Sequence, residues 1–141
     1  MIYPEVVVFA GGAIGSVISA CRNIRKTYGV DTYVVCMNSS SLQPIFNKSK
    51  YITEVFAFDG IESSSMLLRE MEAWYAQMGF EQRPVLISTT DISCIYVNAF
   101  RNRYEELFLL TFPSVEIINI YTSKGFAEVD ASEHGLSVPK S

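Results

Sequence analysis

The sequence predicts an α/β protein: a Rossmann-like, doubly wound parallel sheet of four to five strands in the order 3-2-1-4-5. Three observations predict it. Short apolar runs rich in β-branched residues recur at residues 5–10, 32–37, 52–58 and 84–88, each with the length and composition of a strand buried on both faces. The stretches between them switch to apolar spacings of three and four, the period of a helix with one buried stripe. The first run stops abruptly at glycine, with Gly11, Gly12 and Gly15 permitting a tight turn and a close backbone approach. Strands alternating with helices give a parallel sheet, and right-handed crossovers give the stated order.

Taken in order, the first strand leads through its glycine turn into a helix whose stripe is Ile14, Val17, Ile18, Cys21, Ile24 and Tyr28, closed by Gly29 as a left-handed cap. Residues 32–37 form the second strand, residues 38–41 a loop and residues 42–46 a short helix. Residues 52–58 form the third strand; the intervening stretch of about 15 residues suffices for a crossover. Asp59 and Gly60 turn the chain, and the serines at 63–65 are placed to cap the next helix. Leu67, Met71, Trp74, Tyr75 and Met78 share one face of that helix, and Gly79 closes it. Such a Met and aromatic stripe is core rather than a cofactor box.

After the fourth strand, Asp91 is placed to cap a helix running to about Arg103. Residues 107–112 read as a fifth strand or extended edge stopped by Pro113. Ser114 caps a short helix to about Tyr121, and Ser123 another that reaches His134 and ends at Gly135. The tail, residues 136–141, is expected to be extended.

Composition narrows the class. With 141 residues, 49% hydrophobic and 18% charged, the chain can bury a core and is not of disordered type. A net charge of −4 argues against a nucleic-acid footprint. No apolar run reaches the length of a membrane span and no charged-then-apolar leader opens the chain. Cys21, Cys36 and Cys94 lack metal-ligand spacing and read as reduced thiols in a cytoplasmic protein.

In a sheet of this order the switch point lies between strands one and four, and ligands bind outside the carboxyl ends of the strands there. The topology thus joins residues 11–16 with Thr89, Thr90 and Asp91, two loops rich in N–H and hydroxyl donors. The first helix starts with free N–H groups and a positive dipole end, suited to an anion. The expected ligand-binding residues are Gly11, Gly12, Ala13, Ile14, Gly15, Thr90 and Asp91. A dinucleotide fits poorly. Ala10 stands where G-x-G-x-x-G needs its first glycine, and Met37, Asn38 and Ser39 occupy the place of the ribose-binding acid. No P-loop pattern occurs.

Four stretches in order carry a family resemblance. They are Gly11-Gly12-Ala13-Ile14-Gly15-Ser16 leading to Cys21-Arg22; Ser49-Lys50-Tyr51-Ile52; Val85-Leu86-Ile87-Ser88-Thr89-Thr90-Asp91; and Lys124-Gly125-Phe126 followed by Glu133-His134-Gly135-Leu136-Ser137-Val138-Pro139. Together the chain resembles the N-terminal, pre-ATP-grasp domain of an ATP-grasp ligase, in the branch of carboxylate–amine ligases and the carbamoyl phosphate synthase large subunit. The resemblance implies a pre-ATP-grasp domain over residues 1–113. Residues 114–141 would then be a linker and the start of a truncated ATP-grasp domain. It implies an enzyme that phosphorylates a carboxylate with Mg-ATP, the acyl phosphate then being attacked by an amine or similar nucleophile.

Lys124 would be an ATP-binding lysine of the full-length enzyme, although Ser123 replaces the family's usual aspartate before it. ATP and magnesium would act in the full-length enzyme, and none is expected in this fragment, which would not be catalytic alone. The implied partners are a C-terminal ATP-grasp domain, a small-molecule carboxylate and a second copy in a homodimer.

Blander readings stand beside these. The glycines can be only a strand–helix turn, Asp91 only a cap, and Arg22 a member of a surface or inter-domain ion pair. His134, in the last helical turn before Gly135, is explained by a favourable dipole contact. Arg101, Asn102, Arg103, Glu105 and Glu106 read as a solvated face. Besides the ligase domain, two functions fit: a free-standing module holding a nucleotide or sugar phosphate at the switch point, or a scaffold that dimerises through its helices.

Overall fold

A computed structural model describes residues 2–11, 13–114, 116–117 and 131–137. Five parallel strands form one sheet in the order β3-β2-β1-β4-β5, the order expected from the sequence. The strands are β1 (Val6–Ala10), β2 (Thr32–Met37), β3 (Glu54–Phe58), β4 (Val85–Ser88) and β5 (Leu109–Leu110). The helices are α1 (Ile14–Tyr28), α2 (Gln43–Asn47), α3 (Ser64–Met78), α4 (Asp91–Ala99) and α5 (Arg101–Leu107), with a 3-10 turn at Ser40–Leu42. Among these residues no helix is long and apolar enough to cross a membrane.

β1 is the axis of the fold, and all five of its residues are buried. Side chains alternate across a strand, so β1 feeds two cores. Val7 and Phe9 join Tyr33, Val35, Leu67, Met71, Trp74, Leu86, Val97 and Tyr104 on the α3–α4–α5 face. Val6, Val8 and Ala10 join Val17, Cys21, Val34, Cys36 and Phe46 on the α1–α2 face. The α3 stripe is core, as its spacing requires: Leu67, Met71 and Trp74 are buried, and Tyr75 and Met78 pack against them. The α1 face is thinner over β4. Val85 and Ile87 there line an apolar groove of about 360 Å³ with Tyr3, Val6 and Tyr28, at the amino ends of the strands.

Helix ends follow local chemistry. Gly29 (φ 66°) and Gly79 (φ 63°) adopt the left-handed conformation that closes α1 and α3. Ser63 is the serine that caps α3, its Oγ accepting from Met66 N–H at 3.3 Å. At Gly135 (φ 76°) a further helical turn ends in paired bonds, Gly135 N–H to Ser132 O and Leu136 N–H to Ala131 O. The three cysteines are free thiols, with Cys21 and Cys36 buried.

Four expectations are corrected. The helix expected from Asp91 to about Arg103 is two helices broken at Phe100 (φ −129°, ψ 40°). Around the break, Asn98 Nδ2 donates to Cys94 O and Pro113 O, and the Arg101 guanidinium donates to Asn98 Oδ1, Phe112 O and Pro113 O. Long-range side-chain bonds to the chain leaving β5 thus replace the regular helical ladder. Arg101 is accordingly a tether and not part of a solvated face, whereas Arg103 pairs with Glu72 and Glu106 at the surface.

The fifth strand is the two residues Leu109–Leu110, not residues 107–112, because Leu107 and Phe108 turn into the core. The third strand starts at Glu54, not at residue 52: Ile52 N–H bonds back to Ser49 O, and Thr53 N–H makes the first bond across to β2, at Thr32 O. The short helix starts as a 3-10 turn at Ser40. The helices expected over residues 114–121 and 123–134, and the domain boundary drawn from them, lie largely outside the described residues.

Two predictions follow from the packing. The Tyr104 hydroxyl is buried with no hydrogen-bond partner among the described residues, and burial followed by the Glu72 charge drives its pKa far upward. Tyr104→Phe removes that unmet desolvation and raises stability by about 1 kcal/mol in urea unfolding. Glu5 is held above the usual carboxylate range first by burial, then by the charges of Asp31 and Glu81. A raised carboxyl pKa means that folding prefers the protonated form, so this stability is lost as pH climbs through the folded pKa. Glu5→Gln therefore raises the melting temperature near pH 7 and leaves it unchanged near pH 3.

Candidate functional site

β1 and β4 are hydrogen-bonded neighbours in register, with Phe9 opposite Ser88. Their carboxyl ends therefore open side by side, and the two loops expected to meet there do meet. Thr89 ties them together: its N–H and Oγ1 both donate to Phe9 O, at 3.1 and 2.7 Å, and Oγ1 accepts from Gly11 N–H at 3.2 Å. Gly11 is required by this approach. A Cβ built on it would collide with Thr90 Cγ2.

Thr90 cannot readily give way. It is the N-cap of α4, its Oγ1 accepting from Ser93 N–H at 3.3 Å and sharing a 2.6 Å hydrogen bond with Ser93 Oγ. Ser88 Oγ donates to Thr90 O and also bonds Ser93 Oγ. Asp91, expected as the cap, is the first helical residue instead. The cap must have extended backbone geometry, which Thr90 has (φ −133°, ψ 145°). Asp91 stays exposed, where its carboxylate favours the positive end of α4 by about 0.3–1 kcal/mol.

Across the cleft mouth, α1 begins at Ile14 with Ala13 as N-cap, no side-chain cap and no acid in its first turn. Ala13 and Gly15 are exposed and Ile14 is half-buried. The first N–H groups of α1 and its positive dipole end thus face outward with no side chain of their own to satisfy them, while α4 next to it is capped. Such an end takes an anionic oxygen through backbone N–H groups. Gly12 and Lys124 lie outside the described residues. No group of three or more His, Cys, Asp or Glu among the described residues could hold a metal ion.

Sequence reasoning missed two features. Ser88, Thr90 and Ser93 form a bonded hydroxyl knot, with Thr89 bonded instead across to β1, signalled only by four Ser and Thr residues within six positions. Asn38, at the end of β2, is in the left-handed region (φ 55°), and its amide both donates to Ile61 O and accepts from Ile61 N–H, each at 2.8 Å. Both ends of that amide are engaged, so the position where a dinucleotide fold places its ribose-binding acid is a structural clamp. This supports the sequence argument against a dinucleotide.

The Gly11–Thr90 contact gives a double-mutant test. Gly11→Ala is expected to cost about 1–3 kcal/mol in denaturant unfolding by overpacking. In the Thr90→Ser background, which keeps the capping hydroxyl and deletes Cγ2, most of that cost disappears. Neither models of known protein families nor the curated proteins return a match to this chain.

Proposed function

We propose that this chain is the N-terminal, substrate-side domain of an ATP-grasp ligase, which activates a carboxylate as an acyl phosphate for attack by an amine or similar nucleophile. The observation that carries the reading is the junction of the Gly11 corner with Thr90 and Asp91 beside the uncapped start of α1. The order of the four family-like stretches along the chain adds support. In this reading the N–H groups at residues 13–15 receive the substrate carboxylate and the α1 dipole offsets its charge. Thr89 keeps the β1 and β4 loops at a fixed separation, and Asp91 sits at the rim to meet a cationic part of the substrate.

In this reading the domain's part is binding and orientation. ATP and magnesium belong to the full-length enzyme, with Lys124 as an ATP contact and a C-terminal ATP-grasp domain as partner. The protein works in the cytoplasm in this reading. A second reading, a free-standing module for a nucleotide or sugar phosphate, draws on the same uncapped helix end, which accepts phosphate as well as carboxylate.

The two readings predict different behaviour. In the ligase, the protein carrying this domain releases ADP and phosphate from Mg-ATP only when one of a panel of amino acids and other carboxylates is present. Asp91→Asn then raises KM for that carboxylate about tenfold and leaves KM for ATP unchanged. Hydrolysis indifferent to every carboxylate, together with a clear thermal shift of the isolated chain by a nucleotide, selects the binding module.

A further inference from the structure

Three cations surround one aromatic ring at the end of the molecule opposite the glycine corner. The Arg22 guanidinium carbon lies 5.9 Å, Lys26 Nζ 5.8 Å and Lys50 Nζ 5.3 Å from the Tyr51 ring centroid. Any two of these charges are therefore within roughly 12 Å, little more than the ~10 Å Debye length in 0.1 M salt. Lys48, also exposed, stands two residues before Lys50. Among the described residues, side-chain ion pairs engage Arg25, Arg101 and Arg103, and none engages Arg22, Lys26, Lys48 or Lys50. Arg22 thus sits over Tyr51 and, among the described residues, not in a surface ion pair. A chain of net charge −4 has gathered three of its 11 lysines and arginines around one ring. A single ring face offsets only part of their mutual repulsion.

The platform beneath them is fixed. Thr32, fully buried, donates its hydroxyl to Tyr51 O. Tyr51 N–H donates to Ser49 Oγ, and Arg25 of α1 donates to Thr53 Oγ1 at 2.7 Å and to Asp31 at 3.2 Å. The loop before β3 is thereby tied to α1 and β2, so the cations are displayed on a frame that loses little freedom on association.

We propose that Arg22, Lys26 and Lys50, arranged around Tyr51, form a docking surface for a carboxylate-rich segment of a partner protein. The charges are exposed, and an exposed pair is worth at most about fivefold in affinity. A lone anion therefore gains little, whereas a segment presenting several carboxylates adds the contacts and covers the ring. Arginine and tyrosine are also residue types enriched at protein interfaces. The overall negative charge repels a long polyanion such as nucleic acid beyond the patch. Tyr51 is half-buried, so the ring at the centre of the patch does not project as the apolar anchor a lipid surface needs.

Fluorescence anisotropy of the full chain with a fluorescein-labelled peptide of about twelve glutamates and leucines tests this directly. Binding is expected at low salt and weakens as salt rises. The triple variant Arg22→Glu/Lys26→Glu/Lys50→Glu loses at least about tenfold in affinity, while Arg69→Glu, an exposed cation on the opposite helical layer, leaves it unchanged. Circular dichroism checks the fold, and the milder Lys26→Gln/Lys50→Gln gives a smaller loss in the same direction should charge reversal disturb it. Tyr51→Leu weakens binding severalfold at unchanged charge. The proposal is overturned by absence of binding at low salt, by an equal loss in Arg69→Glu, or by tighter binding to phosphatidylserine vesicles or a single-stranded oligonucleotide.

Discussion

A glycine without a side chain and a threonine with its hydroxyl already committed set the geometry at the carboxyl end of the sheet. Thr90 is locked by capping α4, and its methyl fills the space a side chain at position 11 would need. Thr89 then joins the two strand ends through Phe9 O and Gly11 N–H. β1 and β4 pair only in parallel, so no hairpin links their ends. These side-chain bonds hold the loops together across 78 to 80 residues of sequence. The outward start of α1 is positioned by that junction.

The junction rests on a strand that has no exposed residue. β1 contributes alternate side chains to two separate cores, so its register against β2 and β4 cannot slip by one residue without exchanging Val7 and Phe9 for Val6 and Val8 on the opposite faces. On one face the aromatic residues Tyr33, Phe56, Trp74 and Phe80 pack edge to face around α3. On the other, α1 lies over β1 and β2 through Val17 and Cys21. The sheet thereby carries the start of α1, which has no side-chain cap, beside the capped start of α4.

The two ends of the sheet differ in chemical character. At the carboxyl ends the groups on offer are backbone N–H donors, short hydroxyl side chains and Asp91. At the amino ends, burial and then the charges of Asp31 and Glu81 raise the Glu5 pKa, and the Tyr51 platform gathers cations to one side of them. The cations of the Tyr51 platform thus lie far from the glycine corner, where Asp91 is the charged group beside the positive end of α4.

The sequence by itself determined the sheet order, the α3 stripe, the α1 stripe from Ile14 to Ile24 though not Tyr28, which is 50% exposed, the glycine caps at Gly29 and Gly79, and the meeting of the Gly11 and Thr90 loops. Each is dictated by local period, by positive φ, or by the handedness of crossovers, all of which act along the chain. Only the tertiary structure decided that Thr90 and not Asp91 caps α4, that the helix breaks at Phe100, that β5 shrinks to Leu109–Leu110, that Asn38 clamps Ile61, and that three cations share Tyr51. Those features depend on which groups arrive from distant segments. Asn98 and Arg101 bind carbonyls at Phe112 and Pro113, and Tyr51 meets Arg22 only because α1 and the loop before β3 pack on the same face of the sheet. Spacing within one segment carries no record of such partners, because their free energy comes from contacts that exist only once the sheet has closed.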